Sequence, residues 1–151
     1  MQLAKESFAK STQLTVRNYE IDWQGIVHNA VYLLYFEVGR LAYLQEAGIP
    51  VNHDAIRHHS RVVIARNEIN YVSPARFGDR LNIYTRVSAM GNTSFTFEGL
   101  LEDAVSGRRV AENVSVHVWL DETLGTPVRV PEPFRDAVLR IEGKRVTLAS
   151  R

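Results

Sequence analysis

The longest apolar-rich segment of the chain, AVYLLYFEVGRLAYLQEA at positions 30–47, constrains the fold more than any other feature. Most of its residues are good helix formers, and Gly48 followed by Pro50 marks a C-terminal stop. We therefore predict a helix about 27 Å long, since each residue adds about 1.5 Å. Its apolar residues spread around most of the circumference, which is typical of a helix buried on most of its sides.

Polar residues limit how completely this helix can be buried, because Glu37, Arg40 and Gln45 interrupt its apolar surface. A carboxylate in such surroundings is costly unless it is paired. We interpret Glu37 as a structural partner of Arg40. The alternative is that Glu37 acts as a second catalytic acid.

The remainder of the chain is strand-like. Segments in which β-branched or aromatic residues alternate with polar ones lie at 13–19, 61–72, 80–90, 93–103 and 108–121. Short turns between the later segments lie at 73–74, 78–79, 91–92 and 106–107, and they indicate antiparallel neighbours. A short amphipathic helix is predicted near the end at 131–140. Residues 144–150 either add a strand or have no regular secondary structure.

These elements predict an α+β fold of the hot-dog type, in which a curved antiparallel sheet of about five strands wraps around one long central helix. A flat sheet would cover only one face of the helix, so the sheet must curve. At 151 residues the chain fits a single domain over positions 1–151. A sheet of this kind leaves edge strands exposed, which predicts a homo-oligomer, either a dimer or a homotetramer.

Composition excludes several classes of function. The 18 basic and 17 acidic residues nearly cancel and are scattered, so nucleic acid binding is not indicated. The absence of cysteine excludes a thiolate nucleophile and cysteine-ligated metal sites. No apolar run reaches the length of a signal peptide or a membrane span, which predicts a cytoplasmic protein. A G-x-S-x-G motif is missing, which excludes the α/β-hydrolase route to ester chemistry.

Three histidines, His53, His58 and His59, lie in a short polar stretch. They have no spacing of known metal ligands such as H-E-x-x-H, so we interpret the stretch as a solvated loop. The sequence predicts neither a metal site nor another cofactor.

Two motifs give the chain a family resemblance. The first is Asp22-x-x-Gly25-x-Val27, followed by Tyr32 and Glu37, and the second is PARFGD at 74–79. With them the chain resembles the 4-hydroxybenzoyl-CoA thioesterase type of hot-dog acyl-CoA thioesterases, which includes bacterial short-chain enzymes and plant acyl-lipid thioesterases. The likeness covers most of the chain, through 16–40, 69–81 and 114–131.

The resemblance implies hydrolysis of an acyl-CoA or acyl-carrier-protein thioester without a cofactor. Many bacterial members read Tyr-His-Ala-Asn-Tyr where this chain has HNAVY at 28–32. Plant-like members with Asn-Asn-Ala-Val-Tyr are more similar, which favours fatty acyl or β-ketoacyl substrates over aromatic ones.

The resemblance also implies which residues take part in catalysis. Asp22 matches the catalytic aspartate, which either attacks the thioester or deprotonates water. Asn29 stands at the first backbone N–H of the central helix, and with Ala30 it would receive the thioester carbonyl oxygen at the positive helix end. An aspartate can also cap a helix, but Asp22 lies seven residues before the inferred start, too early to cap directly.

Further residues are candidates for substrate binding, and each has a purely structural alternative. A glycine lets the backbone pass close to a substrate or simply forms a turn. A histidine can hydrogen-bond the substrate or line the entrance, and aromatic residues can shape an acyl pocket or belong to the core. These candidates are Gly25, His28, Tyr32, Phe36 and Tyr71.

Two other functions remain as alternatives. A hot-dog protein can bind acyl-CoA or acyl-carrier protein without turnover, although pure binding does not need the carboxylate of Asp22. A hydroxyacyl-thioester dehydratase normally uses a histidine with an acid, and no histidine here matches that role.

Overall fold

The computed structural model describes residues 1–50, 61–123 and 125–149. His53, His58 and His59 therefore lie outside the described residues. The helices are α1 (Val31–Glu46) and α2 (Glu132–Glu142). The strands are β1 (Ser11–Thr15), β2 (Arg61–Tyr71), β3 (Arg80–Met90), β4 (Ser94–Asp103), β5 (Arg109–Leu120) and β6 (Thr147–Leu148).

The strands form one sheet in the order β1-β3-β4-β5-β2. All four pairings along this order are antiparallel, as the short turns predict. The short strand β6 pairs with β3 in parallel. Register shifts that mark bulges or irregularities occur in β2 between Ile64 and Arg66 and in β3 between Val87 and Ala89. Because bulges bend strands and increase their twist, they let the sheet curve.

Two glycines allow α1 to lie directly on this sheet. A Cβ atom on Gly39 of α1 would come within 2.4 Å of the Thr85 Oγ1 atom and 2.6 Å of the Ile83 Cγ2 atom of β3. A Cβ atom on Gly99 of β4 would come within 2.5 Å of the Phe36 ring. Helix and sheet thus approach more closely than ordinary side chains permit, and this contact forms the interior of the fold.

The core has two parts along α1. Around its N-terminal half, buried Tyr35 and Phe36 pack with Leu81 and Leu101 of the sheet. Around its C-terminal half, the buried cluster includes Tyr43 and aromatic residues of β4, β5 and α2. The predicted α+β arrangement of an antiparallel sheet around a central helix is confirmed.

The sheet leaves one face of α1 uncovered. The exposed fractions of Leu33, Leu34, Val38 and Leu41 lie between 37% and 58%. Arg40, by contrast, is buried and Glu37 is exposed. Burial lowers the pKa of Arg40 and the charge of Glu37 opposes that effect, although the two form no ion pair among the described contacts. The structural role of Glu37 beside Arg40 therefore stays a prediction.

The first strand differs from the prediction. We predict it at 13–19, but β1 ends at Thr15 because its partner β3 begins opposite that residue, at Arg80, and a 3₁₀ turn follows at Asn18–Glu20. Alternation of polar and apolar residues continues past this point and does not reveal where strand pairing stops. At the C-terminus, a 3₁₀ turn at Gly143–Arg145 is followed by the two-residue strand β6, which agrees with the predicted alternative that this stretch adds a strand.

Candidate active site

The loop between β1 and α1 presents the side chain of Asp22. The Asp22 N–H donates to the Ile26 oxygen at 2.9 Å, and the Gly25 N–H donates to the Asp22 oxygen at 3.0 Å. One carboxylate oxygen, Oδ1, accepts the Gln24 N–H at 2.8 Å. Gly25 has a φ of +78°, a left-handed conformation that favours glycine. The turn therefore holds the carboxylate in place while leaving its Oδ2 oxygen outside these bonds.

A buried carboxylate, that of Glu20, anchors this loop to α1. It accepts the Tyr35 hydroxyl at 2.6 Å and the Arg17 N–H at 2.8 Å, and it pairs with the Arg17 guanidinium. Burial alone raises the pKa of Glu20, but the hydrogen bonds from Arg17 and Tyr35 outweigh burial and leave the pKa below its ordinary value. Glu20 is not among the predicted site residues, and its only signal in the sequence is its spacing of three residues from Arg17.

Asp22 faces a cavity of about 380 Å³ at the N-terminal end of α1. We call it the Asp22 cavity. Its walls come from the loop, the first turn of α1 and the segment that follows β2. They are Asp22, Gln24, Ile26, Val27, Asn29, Tyr32, Tyr71, Val72, Ser73 and Pro74. Four of the predicted site residues, Asp22, Asn29, Tyr32 and Tyr71, thus line one cavity.

The two predicted backbone donors at the helix start differ in their hydrogen bonding. The Ala30 N–H donates to the His28 Nδ1 atom at 3.1 Å, and the Val31 N–H donates to the His28 oxygen at 2.9 Å. The Asn29 N–H makes no hydrogen bond within the described part of the chain. Asn29, which lines the cavity, therefore has an N–H that no described residue occupies, whereas Ala30 can donate to a ligand only if its bond to the His28 ring breaks.

Two tyrosines form one wall of the Asp22 cavity. The Tyr71 hydroxyl donates to the Asn29 oxygen at 3.0 Å, and the Tyr71 ring meets the Tyr32 ring edge to face at 5.4 Å. The Tyr32 hydroxyl accepts the Ala75 N–H at 3.2 Å, and burial raises the pKa of Tyr32. This wall is thus attached both to the start of α1 and to the turn after β2.

The other predicted site residues lie elsewhere. Gly25 shapes the turn behind Asp22, and His28 is held against Ala30. Phe36 is 2% exposed and packs beneath Gly99 in the core, so its ring does not line the cavity. Glu37 lines a different cavity farther along α1.

Ser73 and Pro74, which we predict as a turn and of which Pro74 also opens the PARFGD motif, form part of the cavity wall. The Arg108 guanidinium donates to the Ser73 Oγ atom at 2.5 Å and to the Pro74 oxygen at 2.9 Å. The Ser73 hydroxyl in turn donates to the Arg109 oxygen at 2.5 Å. These contacts join segments distant in the chain, so no local pattern could reveal them.

Within residues 1–50, 61–123 and 125–149, no group of three or more His, Cys, Asp or Glu side chains is arranged to hold a metal ion. Over the same residues, no helix combines the length and apolar character needed to cross a membrane.

Comparison with known proteins identifies the family. Residues 16–138 match the model of the thioesterase-like superfamily. The chain is 32% identical over 123 residues to the acyl-acyl carrier protein thioesterase ATL3, chloroplastic, of Arabidopsis thaliana, a match that covers 82% of this chain and 64% of that protein. It is 28% identical over 114 residues to the long-chain acyl-CoA thioesterase FadM of Escherichia coli, covering 73% of this chain and 82% of FadM.

Among solved structures, a thioesterase from Thermus thermophilus, crystallised with coenzyme A and Zn, is 31% identical with a TM-score of 0.78. The match covers 91% of this chain and 97% of that one. The family predicted from the two motifs is confirmed. The chain belongs to the thioesterase-like superfamily and has its hot-dog fold.

Proposed function

We propose that the chain hydrolyses an acyl thioester to a free acid and a thiol. One observation carries this proposal: Asp22, which brings a carboxylate, and Asn29, whose N–H has no hydrogen-bond partner among the described residues, line the same cavity near the positive end of α1. A negative group and an unpaired donor on one cavity are what attack on a carbonyl requires. The names of the relatives support the same reaction class.

In this mechanism the thioester carbonyl oxygen accepts the Asn29 N–H, and the helix end stabilises the negative charge that develops there. The Asp22 carboxylate then acts in one of two ways. It attacks the carbonyl carbon, so that the thiolate leaves and water hydrolyses the resulting anhydride, or it takes a proton from water, which attacks the carbon itself. The chain's own groups suffice for both routes, so the proposal includes no cofactor.

The substrate we propose is an acyl-CoA or an acyl-carrier-protein thioester. The aromatic wall of Tyr32 and Tyr71, with Val72 beside it, suits an apolar acyl group next to the reacting carbonyl. Fatty and β-ketoacyl groups fit this wall, and an aromatic acyl group is the alternative. Gly25 and His28 support the site in this proposal by shaping the turn and holding Ala30.

We also propose that the chain acts as a homo-oligomer. Among the described residues, strand β2 pairs with β5 on one side only, and it presents exposed Val63 and Ile64 on an eleven-residue edge strand. A long exposed edge is normally covered by another strand, and a second copy supplies one through a two-fold axis. The uncovered apolar face of α1 offers additional surface for a homodimer or homotetramer. Its location in the cytoplasm stays a prediction from the sequence.

A panel of purified thioesters separates the candidate functions. We expect thiol release from acyl-CoAs or from acyl-carrier proteins, measured with a thiol-reactive dye. A dehydratase would instead convert a hydroxyacyl thioester to an enoyl thioester without releasing thiol. Tight binding of every thioester with no release from any would overturn the proposal in favour of a binding protein.

A further inference from the structure

A second cavity, of about 310 Å³, lies beside the C-terminal half of α1. We call it the Arg40 cavity. Its walls are largely apolar and include Leu44, Phe97, Trp119 and Phe134, and none of the described residues that line it also lines the Asp22 cavity. The proposed hydrolysis does not use this space.

A buried cation lines this apolar cavity. Arg40 is only 9% exposed, and its guanidinium makes no hydrogen bond or ion pair with any residue in the described ranges. Burial lowers the pKa of Arg40, although an arginine remains charged at neutral pH. Burying most of an arginine side chain is costly when no anionic partner lies among the described residues, so the place of Arg40 on the cavity wall favours an anionic ligand there.

The other titratable groups of the cavity do not neutralise Arg40. Glu37 lies one turn earlier on α1, and its charge opposes the lowering of the Arg40 pKa by burial. However, Glu37 is exposed and forms no ion pair with Arg40 within the described residues. His117 is buried with its Nε2 atom 2.9 Å from the Ser115 Oγ atom. Burial, assisted by the charge of Arg40, lowers the pKa of His117 to about 4, so at neutral pH it carries no charge.

We propose that the Arg40 cavity binds a fatty carboxylate, with the carboxylate on the Arg40 guanidinium and the apolar tail against Phe97, Trp119 and Phe134. The planar fork of an arginine matches a carboxylate with two hydrogen bonds, which favours this anion over a neutral head group. The volume is at the small end for small-molecule sites, which favours a medium-length chain. The proposal is independent of thioester hydrolysis, because it concerns a cavity that Asp22 does not line.

Ligands that differ only in their head group test this site. The chain has two tryptophans, of which Trp119 lines the cavity and Trp23 is 92% exposed. In a Trp23→Phe protein the fluorescence of Trp119 therefore reports the cavity alone. We expect octanoate to bind at least about tenfold more tightly than octanol or octylamine, the scale of a charge-assisted hydrogen bond. Equal affinities for octanoate and octanol, measured in this protein with Arg40 intact, would overturn the proposal.

Two arginine variants assign the effect to one residue. Arg40→Met should lose the preference for octanoate, whereas Arg76→Met, at an exposed arginine outside the cavity, should keep it. If Arg40→Met does not fold by circular dichroism, Arg40→Lys keeps the charge and should retain a preference for octanoate. Unchanged octanoate affinity in a folded Arg40→Met protein would exclude Arg40 as the anion site.

A variant of the proposed active site separates this inference from thioester hydrolysis. Asp22→Asn should bind octanoate as the wild type does, because Asp22 lines the other cavity. If octanoate binding instead depended on Asp22, the ligand would occupy the Asp22 cavity and this proposal would be wrong, whatever the thioesterase assay shows.

Discussion

At the scale of single residues, the position of Asp22 depends on side chains that do no chemistry themselves. Glu20 links the loop before α1 to Tyr35 in the helix, and both side chains are buried. Burial is the largest cause that raises the pKa of Tyr35, and its bond to Glu20 adds to it, so the hydroxyl stays protonated and keeps donating. Catalysis is sensitive to small displacements of the reacting group, so this anchor should affect the rate.

Tyr35→Phe tests the anchor. Removing the hydroxyl leaves the buried Glu20 carboxylate short of one donor, which should lower the free energy of unfolding by about 1–3 kcal/mol. The looser loop should lower the rate of thiol release by about tenfold. Tyr84→Phe is the matched control, because the Tyr84 hydroxyl lies 3.5 Å from Glu102 and lines neither cavity. Equal effects of the two substitutions on the rate would argue against an anchoring role.

The candidate site was only partly predictable from single residues. Asp22 stands in a motif of fixed spacing and Asn29 lies between two residues of that motif, so the resemblance predicts both positions. Phe36 and Tyr71 carry similar aromatic side chains, but one packs in the core and the other lines the cavity. That difference depends on how α1 is oriented against the sheet. The composition and residue spacing of one segment do not determine this orientation.

At the scale of secondary-structure elements, the prediction succeeds where turn residues mark both ends. Strand β3 runs over Arg80–Met90 as predicted, between Gly78-Asp79 and Gly91-Asn92. Helix α1 runs over Val31–Glu46, within one residue of the predicted range at each end. Strand β1 is misplaced because its end depends on where its partner β3 begins, at Arg80, which is distant in the chain.

Strand β5 contains a group that should make stability depend on pH. His117 is stacked on the Phe95 ring at 5.3 Å, and burial lowers its pKa to about 4 from an ordinary 6.5. In the unfolded chain His117 becomes protonated below pH 6.5, whereas in the folded chain it becomes protonated only near pH 4. Stability is therefore lost as the pH falls through this range, by at most about 3 kcal/mol, since one pKa unit corresponds to about 1.4 kcal/mol.

His117→Gln removes this titration. Urea unfolding between pH 8 and pH 4 should show a smaller loss of stability for the variant than for the wild type, with the difference developing below about pH 6.5. Above pH 7 the two curves should run parallel, which provides an internal control. Parallel curves over the whole range would show that His117 titrates alike in the folded and unfolded chains.

At the scale of the whole molecule, the free edge of β2 and the uncovered face of α1 are surfaces that one copy leaves open. Four apolar side chains of α1 are exposed, and β2 presents Val63 at 44% exposure beside the edge. The sequence predicts such an edge from the fold but not which strand forms it, because strand order follows from long-range pairing. The Arg40 cavity could not be predicted from the sequence for the same reason, because Arg40 and His117 come close together only in the folded molecule.

Val63→Lys tests whether β2 forms the contact between copies. A lysine on an edge strand opposes pairing with another strand, so the dissociation constant of the oligomer should rise at least about tenfold. Val105→Lys makes the same chemical change in the turn between β4 and β5, at 76% exposure, and should leave the assembly intact. Light scattering during size-exclusion chromatography gives the mass of each. An unchanged mass for Val63→Lys down to low concentration would place the contact elsewhere.

The central claim is that the Asp22 carboxylate drives thioester hydrolysis, and the rate of thiol release by Asp22→Asn tests it most directly. Asparagine keeps an oxygen for the Gln24 N–H, so the loop should stay intact while the negative charge is lost. Asp136→Asn, on the exposed side of α2, is the matched control and should release thiol at the wild-type rate. We predict a loss of at least about a hundredfold for Asp22→Asn, the scale of a catalytic base. A folded Asp22→Asn protein that releases thiol as fast as the wild type would contradict the claim.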